Sequence, residues 1–274
     1  MNTTILVIGG TGKTGRRVVE QLKNKGIEPR IGSRNATPSF DWNDKNTWVK
    51  SLEGIERMYV TYYPDLAIPG AKESIESLTT LAKELGVKKV VLLSGKGEVE
   101  AEACEQIVAN SGLDYTIVRA SWFNQNWSES FFLDSILSGN VALPMSDVLI
   151  PYVDADDIAE VATEVLLNDD FNGEIIEVTG PELITFKDII ATIGNVSKRE
   201  LNFLPITLDQ YVAGMRQMQL PEDVIWLIEY LFSHVLTNPN NQLISHDIER
   251  VLGRKATSFT KYAEETVKTG VWNP

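Results

Sequence analysis

Residues 5–17 read ILVIGGTGKTGRR. The four apolar residues at 5–8 are mostly β-branched and are followed at once by glycines, which is typical of a parallel strand buried on both faces. Gly9, Gly12 and Gly15 then give the spacing G-x-x-G-x-x-G ahead of an amphipathic helix. In such a unit the first glycine permits a tight turn, the second admits a pyrophosphate and the third lets the helix pack closely on the strand. The segment therefore predicts a dinucleotide-binding loop with contacts from Gly9, Thr11, Gly12, Lys13, Thr14 and Gly15.

A glycine-rich turn without a ligand is the alternative interpretation of this loop. A Walker-type phosphate loop does not fit, although Gly12-Lys13-Thr14 resembles part of one. That motif needs a glycine five positions before its Gly-Lys pair, and Val7 occupies the position here.

The choice between NAD(H) and NADP(H) depends on the end of the second predicted strand, near residues 28–33. An acidic residue roughly 20 positions beyond the glycine loop would bind a ribose 2′-hydroxyl group, whereas an arginine suits a 2′-phosphate. Ser33-Arg34 stands at this point, and residues 32–36 contain no Asp or Glu. We therefore predict that NADP(H) is favoured over NAD(H), with a solvated surface arginine as the alternative role of Arg34.

The rest of the first 180 residues alternates between strand and helix patterns. Apolar runs at 57–62, 88–94 and 115–118 are separated by helical stripes, and a final strand is predicted at 174–178. We number the strands at 57–62 and 88–94 as the fourth and fifth. Such alternation with short connections predicts an α/β fold, a doubly wound parallel sheet of the Rossmann type.

The remainder of the chain is predicted to be mainly helical. Residues 1–180 would form the NAD(P)-binding Rossmann domain, and residues 181–274 a smaller cap on the substrate side, over the carboxyl edge of the sheet. No internal repeat or flexible linker separates them.

Composition excludes several function classes for this chain of 274 residues. Its formal net charge of −13 disfavours nucleic acid as a partner, because binding to phosphate backbones needs clustered positive charge. One cysteine cannot form a disulfide within the chain, and two histidines with it make a metal cluster implausible. No apolar run approaches the roughly 18 residues of a membrane span. With no basic leader at Met1–Thr4, we expect a soluble, cytoplasmic protein that acts on a small molecule.

Several motifs together resemble the NmrA-like group of atypical short-chain dehydrogenases. They are the glycine loop, Ser33-Arg34, Asp41-Trp42, Ser94-Gly95 and the stretch GLDYTIVRASWFNQN at 112–126. This group is related to isoflavone-reductase-like proteins, quinone and triphenylmethane reductases, and festuclavine-type ergot-alkaloid reductases. The resemblance covers about 1–180 and is weaker over 180–274. It implies that Asp41 lies beside the adenine and that Trp42, Ser94 and Gly95 belong to the cofactor site.

One departure from the wider short-chain family affects the predicted chemistry. That family carries Tyr-x-x-x-Lys, a phenol tuned for proton transfer, where this chain reads GEVEAEACE at 97–105. Oxidation of a simple alcohol is therefore not expected. A quinone, an iminium or another conjugated acceptor that takes a hydride directly fits better, with its proton coming from solvent. The alternative is a non-catalytic NAD(P)-sensing regulator of the NmrA type, with a protein partner.

The remaining candidates lie where ligands bind in open α/β sheets, or in an aromatic segment. Tyr62 and Tyr63 end the predicted fourth strand and would contact the nicotinamide or pack at the rim. Ser94 would polarise a substrate, cap a helix or contact the cofactor. Ser94, Tyr62 and Tyr152 are thus weak catalytic candidates. A flat ligand needs stacking surfaces, so the substrate residues are predicted to be Trp122, Phe123, Asn124 and Tyr152, with helix capping as the alternative for Asn124.

Overall fold

The structure is a computed structural model that describes residues 4–130 and 132–274. Its strands are β1 (Ile5–Ile8), β2 (Arg30–Gly32), β3 (Arg57–Val60), β4 (Lys89–Gly95), β5 (Asp114–Ala120), β6 (Asn140–Leu143), β7 (Glu174–Val178) and β8 (Asn202–Pro205). Its α-helices are α1 (Gly15–Asn24), α2 (Trp48–Leu52), α3 (Ala71–Glu84), α4 (Val99–Asn110), α5 (Leu133–Ser138), α6 (Ala155–Leu167), α7 (Phe186–Ser197), α8 (Leu208–Gln217), α9 (Glu222–Tyr230), α10 (Asp247–Leu252) and α11 (Phe259–Thr266).

The chain folds into two compact units that are not continuous in sequence. The first contains the residues up to Ala120, then Ala155–Val178 and His246–Arg254. The second contains Ser121–Asp154, Thr179–Ser245 and Lys255–Pro274. The sequence suggested one boundary near residue 180, whereas the chain leaves the first unit after β5, returns for α6 and β7, and returns again for α10.

The first unit is built on a six-stranded sheet with the order β2-β1-β3-β4-β5-β7. All neighbouring strands are parallel. The predicted doubly wound parallel sheet is therefore confirmed. β2 lies on one side of β1, and β3 with all later strands of this sheet lies on the other side. The strand order therefore reverses between β1 and β3. In open α/β sheets, ligands bind at the carboxyl ends of the strands that flank such a switch point.

The strand numbering predicted from sequence was wrong by one. The strand before Tyr62 is the third of the chain and the strand containing Ser94 is the fourth. No strand forms at 33–56 because this segment folds into turns, a short 3-10 helix at Lys45–Thr47 and α2.

Helices cover both faces of this sheet. Leu6, Ile8, Met58 and Val60 pack in one cluster with the buried residues of α3 and α4. The alternate strand residues point to the opposite face, where α1 lies against α6. Each central strand is therefore buried on both sides, which explains the uninterrupted apolar run at 5–8.

The second unit combines helices with a small sheet that the sequence did not indicate. β6 and β8 pair in parallel, with Val141 opposite Phe203. The helices predicted after residue 181 are present, and α9 continues into a π-helical turn at Leu231–Val235. Large aromatic side chains fill the core: Trp127, Phe132, Tyr152, Phe186, Phe232 and Trp272. No helix in the described residues is both long and apolar enough to span a membrane.

Candidate functional site

The glycine loop begins at the carboxyl end of β1, at the switch point. Gly9 has φ +74°, a left-handed conformation that favours glycine. A Cβ atom on it would overlap the hydroxyl group of Thr61, the first residue after β3. The N–H of Gly9 donates to the carbonyl oxygen of Gly32 at 2.9 Å, which ties the loop to the end of β2. Only a glycine fits where these three strand ends meet.

Gly12 and Gly15 have different surroundings. A Cβ atom on Gly15 would overlap the carbonyl group of Gly9, so this glycine allows α1 to approach the loop. On Gly12, which is exposed, a Cβ atom would meet only the carbonyl oxygen of Gly9, at 3.2 Å. The protein itself therefore does not use the space above Gly12. An open glycine beside a helix N-terminus fits a bound pyrophosphate.

The start of α1 is suited to an anion. Its first turn contains no acidic residue, so α1 itself places no carboxylate at the positive end of the helix dipole. Thr14 is buried, and its hydroxyl oxygen accepts a hydrogen bond from Tyr59 of β3 at 3.0 Å. Thr11 is exposed and Lys13 is half-buried. Tyr59 thus helps to position Thr14 at the start of α1. The sequence did not reveal this role, because Tyr59 lies within the buried strand β3.

The residues predicted for the adenosine half follow β2. The carbonyl oxygen of Ser33 accepts a hydrogen bond from the N–H of Phe40 at 2.9 Å, which closes a loop at 33–40. Arg34 in this loop is exposed and forms no salt bridge with any described residue. Its guanidinium is thus available to a ligand.

Asp41 and Trp42 are brought to the end of β3. The indole N–H of Trp42 donates to the carbonyl oxygen of Thr61 at 3.2 Å, and its ring lies 4.7 Å from that of Tyr62. Asp41 accepts the N–H of Asn43 at 3.0 Å through Oδ1. These residues border the switch point, as a cofactor site there requires.

Tyr62 and Tyr63 are placed differently from each other. Tyr62 is half-buried, and its hydroxyl group donates to Ser74 Oγ at 3.4 Å, a long hydrogen bond. Tyr63 is 76% exposed. Tyr62 therefore packs at the rim of the sheet, whereas the ring of Tyr63 is mostly exposed to solvent.

Ser94 is part of a buried polar network. Its hydroxyl group donates to Glu105 of α4 at 2.6 Å, so it does not cap a helix and its only proton is already committed. Glu105 forms an ion pair with Arg119, and Arg119 with Glu177 at 3.4 Å. Lys96 also forms an ion pair with Glu177, with 2.6 Å between Nζ and Oε2. We call the residues Glu105, Arg119, Glu177 and Lys96 the edge network.

The predicted substrate residues of the second unit form an aromatic cluster. The half-buried ring of Trp122 lies 5.5 Å from Phe232 and 6.3 Å from Tyr152. Phe123 forms a parallel bridge with Val153. The structure thus brings the rings of Trp122 and Tyr152 together, around a core that also contains Trp127 and Phe132, and joins Phe123 to this region through its backbone.

Asn124 differs from its neighbours in this segment. It is fully buried, yet both amide atoms of its side chain lack a hydrogen-bond partner among the described residues. It does not cap the 3-10 helix at Asn124–Trp127, so the capping interpretation is wrong. The adjacent Gln125, by contrast, donates to Asp154 at 2.7 Å. The hydroxyl group of Tyr152 is buried near the indole of Trp127, and burial raises its pKa well above the usual value.

Two further observations concern metal binding and surface grooves. No group of three or more His, Cys, Asp or Glu side chains is arranged to hold a metal ion within residues 4–130 and 132–274. A surface groove of about 480 Å³ lies between α3 and α4, lined by polar residues such as Glu76, Lys83 and Gln106. None of the predicted site residues lines it.

A parallel sheet with a glycine loop at its switch point defines a Rossmann-type dinucleotide-binding protein. Comparison with known families agrees, because the model of the NAD(P)H-binding family matches residues 9–169. The chain belongs to this family.

Curated relatives align over nearly the whole chain. Prestalk A differentiation protein A of Dictyostelium discoideum is 30% identical, over 96% of this chain and 92% of its own length. Agroclavine dehydrogenase of Claviceps fusiformis is 27% identical, over 98% of both chains. NAD(P)H azoreductase of Xenophilus azovorans is 26% identical, over 95% of this chain and 96% of its own.

Solved structures share the fold at lower identity. A nucleoside-diphosphate-sugar epimerase from Staphylococcus aureus superposes with a TM-score of 0.82, at 18% identity over 96% of this chain and all of that one. The Escherichia coli quinone oxidoreductase QOR2 in complex with NADPH gives 0.77, at 18% identity over 96% and 100%. NmrA, a negative transcriptional regulator in complex with NAD, gives 0.71, at 14% over 98% of each chain. The NmrA-like resemblance predicted from sequence is confirmed.

Proposed function

We propose that the protein is an NADP(H)-dependent reductase that transfers hydride to a flat, electrophilic small molecule without a Tyr-Lys pair. The observation that carries this proposal is the exposed glycine cradle at the switch point, followed by an exposed arginine after β2. The cradle accounts for a pyrophosphate, and Arg34 accounts for a 2′-phosphate. We therefore favour NADP(H) over NAD(H).

Each residue of the cofactor site has a specific task in this proposal. Backbone N–H groups at the start of α1 hold the pyrophosphate, and Gly12 leaves the space that it needs. Arg34 binds the 2′-phosphate through charge-assisted hydrogen bonds, and Asp41 with Trp42 borders the adenosine half. When bound, the reduced dinucleotide supplies the hydride.

The proposed class of acceptor follows from the composition of α4 and from the aromatic cluster around Trp122. α4 contains neither tyrosine nor lysine, so this helix lacks the Tyr-Lys pair that deprotonates an alcohol in the wider short-chain family. The Trp122 cluster and the unpartnered amide of Asn124 suit a flat molecule with a polar group. Relatives named for azo compounds and for agroclavine support an acceptor of this kind. Residues 181–274 would contribute to the substrate side.

The second candidate is a non-catalytic NAD(P)-sensing regulator with a protein partner. The commitment of the Ser94 hydroxyl group to Glu105 favours it, because the strand-end serine then has no proton to offer a substrate. The shared fold with NmrA, a negative transcriptional regulator, is consistent with this second candidate.

Turnover separates the two functions. NADPH oxidation should be measured with quinones, azo compounds, iminium compounds and triphenylmethane dyes, alongside calorimetric titration of NADP⁺ and NADPH. We expect turnover of at least one acceptor class. Tight NADPH binding with no turnover of any acceptor would overturn the reductase in favour of the regulator. Absence of binding by either dinucleotide would contradict both.

A further inference from the structure

Glu98 places a carboxyl group at the carboxyl edge of the six-stranded sheet. It occupies the N-cap position of α4, yet its side chain accepts no hydrogen bond from the helix. The carboxyl group instead folds back against Gly95, the last residue of β4, where any Cβ atom would overlap it. The usual stabilising role of an acidic residue at a helix start therefore does not explain its position.

Asp65 brings a second carboxyl group to the same place. It lies in the loop between β3 and α3, accepts the N–H of Ala67 at 2.8 Å, and is close enough to Glu98 to raise the pKa of that carboxyl group. Two neighbouring carboxylates repel each other when both are ionised, which favours one proton held by the pair. Glu98 is 7% exposed, and its Oε2 atom has no hydrogen-bond partner among the described residues.

The surroundings of this acid pair favour retention of the proton. Burial raises the pKa of Glu98 well above its usual value, and the neighbouring Asp65 raises it further. Burial likewise raises the pKa of Asp65. Among the described residues, the other charged groups that act on Glu98 are Glu100 and Glu105 of α4, both acidic, while Lys72 of α3 acts on the nearby Cys104. The thiol of Cys104 is neutral, because burial raises its pKa to about 11.

No basic side chain neutralises the pair. Within the described residues, neither Asp65 nor Glu98 forms a salt bridge with a lysine or arginine. Arg119 and Lys96 are engaged in the edge network. A buried carboxyl pair of this kind stays charged only once, which is how proteins keep a carboxylic acid protonated near neutral pH.

The pair lies on the side of the switch point where the nicotinamide half of a dinucleotide belongs. A dinucleotide crosses the carboxyl ends of the strands, with one nucleotide on each side of the reversal. Arg34 follows β2 and marks the adenosine side. β3 and β4 form the opposite side, and Asp65 and Glu98 follow these two strands.

We propose that Glu98 is the proton donor for neutral acceptors, quinones or azo compounds, a role that rests on the proposed reductase function. Reduction of such an acceptor takes up one hydride, which the reduced dinucleotide gives up as it becomes oxidised, and one proton, which the carboxyl group of Glu98 gives up. The hydroquinone or hydrazine leaves, and the Glu98 carboxylate regains a proton from water. A cationic acceptor becomes neutral on taking hydride alone and needs no such donor.

Glu98→Gln tests this proposal with two acceptors, a quinone and a cationic triphenylmethane dye. We expect kcat/KM for the quinone to fall by about 100-fold or more in the variant, the range typical of a general acid, and that for the dye to change little. In the unmodified protein, kcat/KM for the quinone should fall as pH rises through the pKa of Glu98. Asp65→Asn removes a negative neighbour and should move this decline to lower pH. Glu102→Gln, an exposed carboxyl group on the same helix, should change neither acceptor.

A readout independent of activity is the carbonyl stretching band of a protonated carboxylic acid in the infrared spectrum. The unmodified protein should show one such buried band at neutral pH, and Glu98→Gln should lack it while NADPH affinity is retained. Equal losses with quinone and dye would overturn the proton-donor role and assign Glu98 to structure. Absence of the band would overturn it as well, even if Glu98→Gln does not fold. If the unmodified protein binds NADPH but reduces no acceptor, the reductase itself fails, and this proposal with it.

Discussion

Gly15 packs directly against the carbonyl group of Gly9, and no space remains between them for a Cβ atom. This contact joins the first turn of α1 to the end of β1. The third glycine of the loop is therefore a packing requirement of the protein itself, whereas the exposed Gly12 has no comparable neighbour.

Gly15→Ala should therefore destabilise the protein. The added methyl group must push the backbone of Gly9 away, and overpacking of this kind costs about 1–3 kcal/mol. Denaturant unfolding monitored by circular dichroism measures the change. Gly214→Ala is the matched control, because Gly214 lies in α8 with nothing within 4 Å of an added Cβ atom. An unchanged free energy of unfolding for Gly15→Ala would contradict the close contact.

Gly12→Val should give the opposite combination, a folded protein that no longer binds a dinucleotide. Its Cβ atom would meet only the carbonyl oxygen of Gly9 at 3.2 Å, a contact that small shifts can relieve. The side chain would occupy the space that a pyrophosphate needs. Calorimetric titration with NADPH and NADH checks binding, and circular dichroism checks folding. Unchanged affinity in a folded variant would reduce the loop to a structural turn.

Arg34→Ala should remove the preference for NADPH. The exposed guanidinium forms no salt bridge within residues 4–130 and 132–274, so its loss affects the 2′-phosphate and leaves NADH binding nearly unchanged. We expect NADPH affinity to fall by about tenfold or more, the effect of losing a charge-assisted hydrogen bond. Arg216→Ala, an exposed arginine of the second unit, is the control. Equal affinities of the unmodified protein for NADPH and NADH would refute the assignment.

The sequence predicted the sheet well because its signals are local. The strand at Ile5–Ile8 is an unbroken apolar run, and the glycine spacing at 9–15 lies within seven residues. The small sheet of β6 and β8 was not predicted. Its strands, NVAL and NFLP, have four residues each, which is too short for a recognisable strand pattern. They also lie far apart in the sequence, so nothing local identifies their pairing.

The acid pair was missed for a similar reason. Glu98 lies in the acidic stretch GEVEAEACE at 97–105. From sequence, this stretch indicates only that the Tyr-x-x-x-Lys motif is absent. Its burial depends on Gly95, and its partner Asp65 lies 33 positions away in another loop. Asn124 was a candidate from its motif, but only the fold shows that the adjacent Gln125 has a hydrogen-bond partner while the amide of Asn124 has none among the described residues.

Asn124→Leu should not destabilise the protein, although it removes a buried polar residue. Both amide atoms lack a hydrogen-bond partner in the described part of the chain, and replacement of an unsatisfied polar group by an apolar one of similar shape is neutral or stabilising. We expect an equal or higher melting temperature, together with a raised KM for the acceptor. Thermal unfolding without ligand and steady-state kinetics measure the two effects.

Gln125→Leu is the matched control for this prediction. It removes the hydrogen bond to the buried carboxylate of Asp154 and should cost about 1–3 kcal/mol. If Asn124→Leu destabilises the protein as much as Gln125→Leu does, its amide has a structural partner, and a role in acceptor binding loses its support.

The pH dependence of turnover should differ between acceptor classes because only neutral acceptors need a proton. For a cationic acceptor, kcat/KM should be constant between about pH 6 and 9, since hydride transfer alone completes its reduction. Burial raises the pKa of Tyr152 well above its usual value, so this group stays protonated throughout that range and adds no limb to the profile. Tyr152→Phe should therefore retain a flat profile with such an acceptor, and alcohols should not be oxidised at any pH. A limb in this range that vanishes in Tyr152→Phe or Tyr62→Phe would identify that phenol as a proton donor and overturn the assignment of protonation to Glu98 and solvent.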